Sequence, residues 1–362
     1  MKIYDRVYIG TSPVSCIDSI YYKLKNKNVI LIDERNSFGG GWTSIKYQGL
    51  PFLEIGCHIW SIDNKVFAFI SRFLKLPLVR MNPQPILIRN NLSFPYDWKL
   101  NIITIKKLLS NIFKCNFKAI RNDFSNPSFR FSILPSKYFY PLNGATLFVN
   151  KIRNKLNEND VSYKLNTKIN RIKIEKNRIN LYTENDVIIC SSVVLTSLSN
   201  FESVEFHDGN VIKPKSKSVK YIHMHIVIEG DFKKNFSYVR VLNDNLIHRI
   251  SDITNQIDDK YLNGKRVIIV GVLEDAFDKN AEKDLKYLIF KRLVKLNFLS
   301  SSNKLYSSFI NCYPSFYNDV NELKEIKRKS NGMIEFLPST DLIYSFSKQL
   351  KKWESLFFAG SE

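Results

Sequence analysis

Two strand-like segments joined by a helix-like segment, all within residues 5–34, constrain this chain more than any other feature. Residues 5–10, DRVYIG, read as a short buried strand that stops on Gly10. TSPVSCIDSIYYKLKNK follows, with Val14, Ile17, Ile20, Tyr21 and Leu24 at helical spacing. NVILIDE is then continuous and β-branched, as strands buried on both faces of a parallel sheet are. Such a β-α-β unit crosses over right-handed. The pattern therefore predicts an α/β fold whose first turn lies at the carboxyl end of a parallel sheet.

That turn is GTSPVS. Gly10, Ser12 and Ser15 occupy the three places that glycines take in a GxGxxG phosphate turn, with Val14 inside it. Pro13 suits an early helical position. By itself this segment fits a plain strand–helix turn equally well. Asp33 closes the second strand roughly 20 residues later, where an acid can accept hydrogen bonds from an adenosine ribose. The other reading of Asp33 is a solvated strand-end acid. Glu34 follows it, and then come Gly39, Gly40 and Gly41, ahead of Trp42. One glycine makes a turn. Three in succession predict a second stretch of backbone that something approaches closely, as the diphosphate and ribityl chain do in many flavoproteins. The three features together favour FAD as cofactor.

Composition narrows the class. The chain has 362 residues, 44% hydrophobic and 24% charged, as expected of one large or two intimate globular domains. No apolar run is long enough to span a bilayer, and MKIYDRVYIG enters a strand directly rather than forming a signal peptide. Five cysteines stand far apart without a CxxC pair. This predicts a reducing cytoplasm, with no disulfide framework and no zinc site. The net charge of +20 admits an anionic partner or a compositional bias. Because the lysines are spread and form no dense basic block with aromatics, nucleic acid is not expected. The amphipathic stretch 103–118, ITIKKLLSNIFKCNFK, allows at most a peripheral membrane contact.

Further along, VFAFISRFLKL reads as a helix and PILIRNNLSFPYD as a hairpin. NGATLFVNKIRNKLNEN reads as a turn and helix, and residues 163–197 as a β-meander that returns a strand to the buried sheet. KYIHMHIVIE, FSYVRVL and RVIIVGVLE read as strands, 281–296 as a helix, and WESLFFAGSE as a final strand.

With these segments in place, the chain resembles the group of flavin amine oxidases, protoporphyrinogen oxidases and UDP-galactopyranose mutases. Asp33-Glu34-Arg35-Asn36-Ser37-Phe38-Gly39-Gly40 resembles the group's E-x-R-x-x-x-G-G motif. IGCHIW, with Gly56, His58, Ile59 and Trp60, resembles the mutase G-x-H-I-F segment beside the flavin. YPLNG resembles the YP-x-x-G turn, LNTKINRIKI the strand that places Ile169 at the adenine, and ESLFFAGSE the strand that brings Gly360 to the flavin. Three departures stand out. Ser12 and Ser15 replace glycines, the gap near 99–138 is too short for the mutase lid, and the sequence stops at Glu362 with Ser361 where mutases carry Arg.

The resemblance implies a Rossmann-like FAD-binding fold with a second domain of mixed β-sheet and helices. Residues 1–60, 140–200 and 350–362 are expected in the FAD domain, and 61–139 and 201–349 in the substrate domain. The expected FAD contacts are Gly10, Ser12, Val14, Ser15, Asp33, Glu34, Gly40, Gly41, Trp42, His58, Ile59, Ile169 and Gly360. His58 is also a candidate for tuning the flavin, with a core histidine as the alternative. Tyr313, in a segment resembling a mutase YP turn, is a substrate-side candidate. Arg240 and Arg249 could hold a phosphate or carboxylate. His223 and His225, two apart on one strand, have no visible third metal ligand. The expected activity is flavin-dependent oxidoreduction of a small molecule. The alternatives are a redox-neutral mutase acting on a nucleotide sugar and a non-catalytic relative.

Overall fold

A computed structural model describes residues 3–54, 60–62, 64–96, 109–114, 116, 137–214, 217–317, 319–337 and 342–357. The β-α-β unit is present as β1 (Ile3–Ile9), α1 (Pro13–Leu24) and β2 (Val29–Ile32). β1 runs parallel to β2, with Ile9 opposite Ile32. On its other side β1 runs parallel to Val187–Leu195, with Ile9 opposite Leu195. All four residues of β2 are buried, as a continuously apolar strand in a covered parallel sheet should be.

Among the described residues this sheet has nine strands. From one edge its order is Ser162–Lys164, β2, β1, Val187–Leu195, Ile179–Tyr182, Arg171–Ile174, Ser203–Glu205 and Val211–Ile212. Ile334–Phe336 adds in parallel to the Val193–Leu195 end. The expected meander is the antiparallel run from Arg171 to Leu195. The strands at 203–205, 211–212 and 334–336 therefore hydrogen-bond into the first sheet, although their sequence neighbourhood suggested the second.

WESLF, the described part of WESLFFAGSE, differs from its reading as a strand, and the rest lies outside the described residues. Residues Leu342–Phe357 form an α-helix. Phe346, Leu350 and Trp353 recur at helical spacing and are buried, a period the short apolar tail conceals. The helix is fastened by Asp18, which is fully buried on α1 and accepts from Tyr8 Oη at 2.9 Å, Lys352 Nζ at 2.6 Å and Trp353 Nε1 at 3.1 Å. Removing one member of such a buried network costs about 3–5 kcal/mol.

Among the described residues the second sheet has seven strands, in the order Lys304–Tyr317, Lys217–Glu229, Lys265–Val272, Ile247–Asp252, Tyr238–Leu242, Ile86–Arg89 and Leu92–Pro95. The last pair is the expected hairpin, turned at Asn90 and Asn91, both with positive φ. Side chains alternate faces along a strand. Ile222, Met224, Ile226 and Ile228 pack with Leu285, Ile289 and Leu293 of the helix Glu282–Lys295. Val227, on the opposite face, packs in a cluster with Leu50 and Leu53, from the strand that follows the glycine run. Tyr221, His223 and His225 share the face of Val227. The second sheet thus turns an aromatic and imidazole edge toward the amino-terminal unit.

Among the described residues no helix is long and apolar enough to cross a membrane. Of 103–118, the helical residues 109–113 expose Leu109, Ile112 and Phe113; most of the remainder lies outside the described residues.

Candidate functional site

The two glycine bends lie side by side, tied by Gly39 N–H donating to Thr11 O at 3.0 Å. At the first bend Gly10 adopts φ +100°, a conformation that favours glycine. A Cβ at Gly10 would stand 2.8 Å from Asn200 Nδ2 and 2.9 Å from Thr196 Oγ1. Asn200 is held there by donating to Ile9 O at 3.0 Å. Gly10 is therefore required by the protein's own packing.

Ser12 and Ser15 turn toward each other. Ser12 is the N-cap of α1: its Oγ accepts from Ser15 N at 3.3 Å and lies 3.0 Å from Ser15 Oγ. Pro13 has no N–H and Cys16 N–H donates to Ser12 O. Among the described residues Val14 supplies the first-turn amide left for an anion. A glycine-rich turn would offer more. Burial and the charge of Asp33 push the Cys16 thiol up, so it is no nucleophile.

Asp33 sits between the bends and is 7% exposed. Its Oδ2 accepts from Thr11 N at 2.7 Å and Thr11 Oγ1 at 2.6 Å, and its Oδ1 accepts from Arg35 N at 2.9 Å. A carboxylate offers about four lone-pair sites, which leaves room for a further donor such as a ribose hydroxyl. The solvated strand-end acid is thereby excluded. Glu34, by contrast, is exposed.

The three successive glycines are not equivalent. A Cβ at Gly39 would strike Val149 Cγ2 at 2.6 Å and Trp42 O at 2.9 Å. Among the described residues the nearest atom at Gly40 is Arg35 Nη1 at 3.9 Å, and at Gly41 none lies within 4 Å. Gly39 closes the bend, while Gly40 and Gly41 leave bare main chain facing open space. Trp42 is half-buried against Trp60 and Phe148. Ile169 is buried just ahead of the strand Arg171–Ile174.

The second sheet brings together three candidates that lie far apart in sequence. Arg240 is directly opposite Arg249, Arg249 opposite Gly271, and Gly271 opposite His223. These residues form one row on one face. A register shift between Ile247 and Arg249 sets His248 beside Arg249 over the same glycine. Because Gly271 has no side chain, Arg249 Nη2 reaches across it to His223 Nε2 at 2.7 Å. A Cβ at Gly271 would lie 2.7 Å from Arg249 Cγ and from His248 Nε2. Tyr313 is in a strand, not a turn, directly opposite Tyr221 with the rings 5.8 Å apart. Its hydroxyl lies 3.1 Å from His223 Nδ1. Arg249 also lies over the Tyr221 ring at 5.6 Å.

This row is cationic. Burial, then Arg249 and Arg240, lower the His248 pKa to about 4, so His248 is neutral at pH 7. Arg240 and Arg249 are opposite in register on one face, so that face gathers like charge and an anion over it would be stabilised. His225 stacks on Phe309, whose ring lies 4.2 Å from that of Tyr47 beyond the glycine run, tilted by 37°. Among the described residues no group of three or more His, Cys, Asp or Glu could hold a metal.

The sequence reading missed His223 as a partner of Arg249 and missed Gly271 altogether. The available signal was a lone glycine inside the apolar strand RVIIVGVLE. His58, Ile59 and Gly360 lie outside the described residues.

No family model matches the chain, and no curated protein matches it in sequence. Solved structures do match its fold. A reduced UDP-galactopyranose mutase is 13% identical with a TM-score of 0.69, over 100% of this chain and 95% of that one. A putrescine oxidase bound to putrescine is 13% identical with a TM-score of 0.63, over 95% of each chain. A RAB GDI from Plasmodium falciparum is 12% identical with a TM-score of 0.56, over 98% of this chain and 97% of that one. The chain has the Rossmann-like α/β fold shared by the flavin amine oxidase and mutase group.

Proposed function

We propose that the chain is an FAD-dependent oxidoreductase acting on a small molecule. The observation that carries this reading is the pairing of Asp33, buried with acceptor capacity to spare, and the open main chain at Gly40 and Gly41. Asp33 would hold the adenosine ribose, and Val14 N–H and the bare amides of the second bend the diphosphate. FAD, when bound, supplies a two-electron acceptor. The chain's own residues then bind, orient and exclude water. Arg240 and Arg249 would clamp an anionic group of the substrate, and Trp42 and the aromatic edge of the second sheet would cover the site. His58 and Gly360 remain candidates for the flavin ring, and the expected two-domain division belongs to the same reading.

The arginine row favours a second reading, a redox-neutral mutase acting on a nucleotide sugar, since two arginines on one face suit a diphosphate. The Ser12–Ser15 contact favours a third, a non-catalytic relative, because it consumes a donor that would otherwise meet the cofactor phosphates. A neighbour such as RAB GDI, which carries no enzyme name, has the same fold.

An absorption spectrum of purified protein before and after adding FAD tests the proposal. A yellow protein with the visible flavin bands is expected, and protein that stays colourless and takes up no FAD rejects it. Anaerobic titration with UDP-galactose, putrescine and related amines then separates the chemistries. Bleaching of the flavin by a substrate marks an oxidoreductase. A perturbed flavin with no electron turnover marks the mutase.

A further inference from the structure

We propose that the second sheet carries a further binding site, on the face opposite the arginine row, for a primary ammonium on a short alkyl chain. The place is a pocket of about 580 Å³ where segments 82–83 and 231–236 meet the strands Ile247–Asp252 and Lys265–Val272. Asp252 lies three residues beyond Arg249 on one strand, so the two side chains point to opposite faces. Ile250, two residues before Asp252, packs with Ile222 and Met224 on that other face. The pocket is therefore separate from the site assembled around the glycine bends and the arginines.

Asp252 lines this pocket and is only 7% exposed. Its Oδ1 accepts from Thr254 N–H at 2.8 Å, and the Thr254 hydroxyl stands beside it. A carboxylate offers about four lone-pair sites, so acceptor capacity remains. A buried carboxylate is costly unless a cation accompanies it. Arg266 is the cation lining the pocket, but its Nη2 donates to Asp231 Oδ1 at 2.8 Å. Two carboxylates and one guanidinium leave one negative charge in excess. Burial accordingly outweighs the nearby guanidinium and pushes the Asp252 carboxyl up to about 6. An ammonium over Asp252 supplies the missing positive charge, whereas a neutral alcohol would leave the excess in place.

A primary ammonium carries three donors. Asp252 accepts one, and the side-chain carbonyls of Asn82, Asn235 and Asn255, exposed residues that line the same pocket, can accept the others. Phe232 and Phe236 also line it, with ring centroids 5.1 Å apart, and suit an alkyl tail rather than a second charge. The chain's net charge of +20 opposes any cation at long range. That field is screened beyond about 8 Å at physiological salt, so the charge at contact decides.

Calorimetric titration of the full chain with n-butylammonium chloride tests the site, with n-butanol as the neutral isostere. Saturable binding of butylammonium is expected, at least tenfold tighter than that of butanol. Asp252→Asn keeps an acceptor for Thr254 N–H but removes the charge, and should weaken butylammonium tenfold or more. Asn235→Lys, at an exposed position, sets an ammonium of the chain's own in the pocket. It should abolish binding with the unfolding midpoint unchanged, and it serves where Asp252→Asn does not fold. With asparagine side chains labelled with 15N, butylammonium should displace the signals of Asn82, Asn235 and Asn255 and leave that of Asn200, beside Gly10, in place. A capped peptide with one central lysine separates the sources of such a group: binding as tight as butylammonium's points to a lysine of a partner, and weaker binding to a free amine. Absence of saturable butylammonium binding, butanol binding of equal strength, or binding indifferent to Asp252→Asn and Asn235→Lys overturns the inference.

Discussion

The bends at Gly10 and at Gly40–Gly41 lie side by side yet face different surroundings. At Gly10 the missing Cβ makes room for the protein itself, for the amide of Asn200 and the hydroxyl of Thr196. At Gly41 the missing Cβ makes room for nothing that the described residues supply. Gly39 belongs with Gly10, since Val149 fills the space beside it. A glycine can thus be demanded by internal packing or by an approaching ligand. The two demands leave the same letter in a sequence, and only the second marks a site.

The largest effect that would sharpen this contrast is on stability. Gly39→Ala combines a positive φ with a 2.6 Å clash against Val149 and should cost about 3 kcal/mol or more by denaturant unfolding. Gly10→Ala should cost less, because it meets only side-chain atoms, whereas Gly39 also meets the main-chain oxygen of Trp42 at 2.9 Å. Next comes Gly41→Val, which should leave the unfolding midpoint within about 0.5 kcal/mol and weaken FAD about 100-fold, a loss of about 2.7 kcal/mol, read by fluorescence quenching of the flavin. An equal loss of stability at Gly39 and Gly41 would erase the distinction between the bends.

Asp33→Asn touches both functions. It should weaken FAD about tenfold, and it should also lower stability by about 1–2 kcal/mol, since Thr11 N–H and Oγ–H lose a charged acceptor. The smallest effect is expected of Ser12→Gly. It removes the hydroxyl that occupies Ser15 N–H, at a cost of only a few tenths of a kcal/mol. FAD should bind about threefold tighter, because the freed amide can meet a phosphate. Unchanged or weaker FAD binding in Ser12→Gly would mean that the serine hydroxyl itself serves the cofactor.

Local pattern accounts for much of what was legible. The apolar run of β2 and the helical spacing of Val14, Ile17, Ile20 and Tyr21 report burial that is nearly complete, and Leu24, at the helix end, is the exposed exception. The asparagines of RNN mark a turn because they tolerate positive φ. The reading failed where a segment was judged from too short a window, as at residues 353–357, whose helical period becomes plain only with Phe346 and Leu350 included. It also failed to separate Ser12 as a phosphate contact from Ser12 as a helix cap, because both roles ask for a small hydroxyl at the same place.

By itself the sequence determined a β-α-β unit, an acid at the end of its second strand and a glycine run behind it, because periodicity and backbone permissiveness act over a few neighbouring residues. Only the tertiary structure decided that Asp33 retains acceptor capacity, that Gly41 opens outward while Gly39 does not, and that Arg249 meets His223 across Gly271. Those outcomes depend on strand register and on side chains from distant segments, and a one-residue slip of register would have turned every one of the second sheet's contacts to the other face.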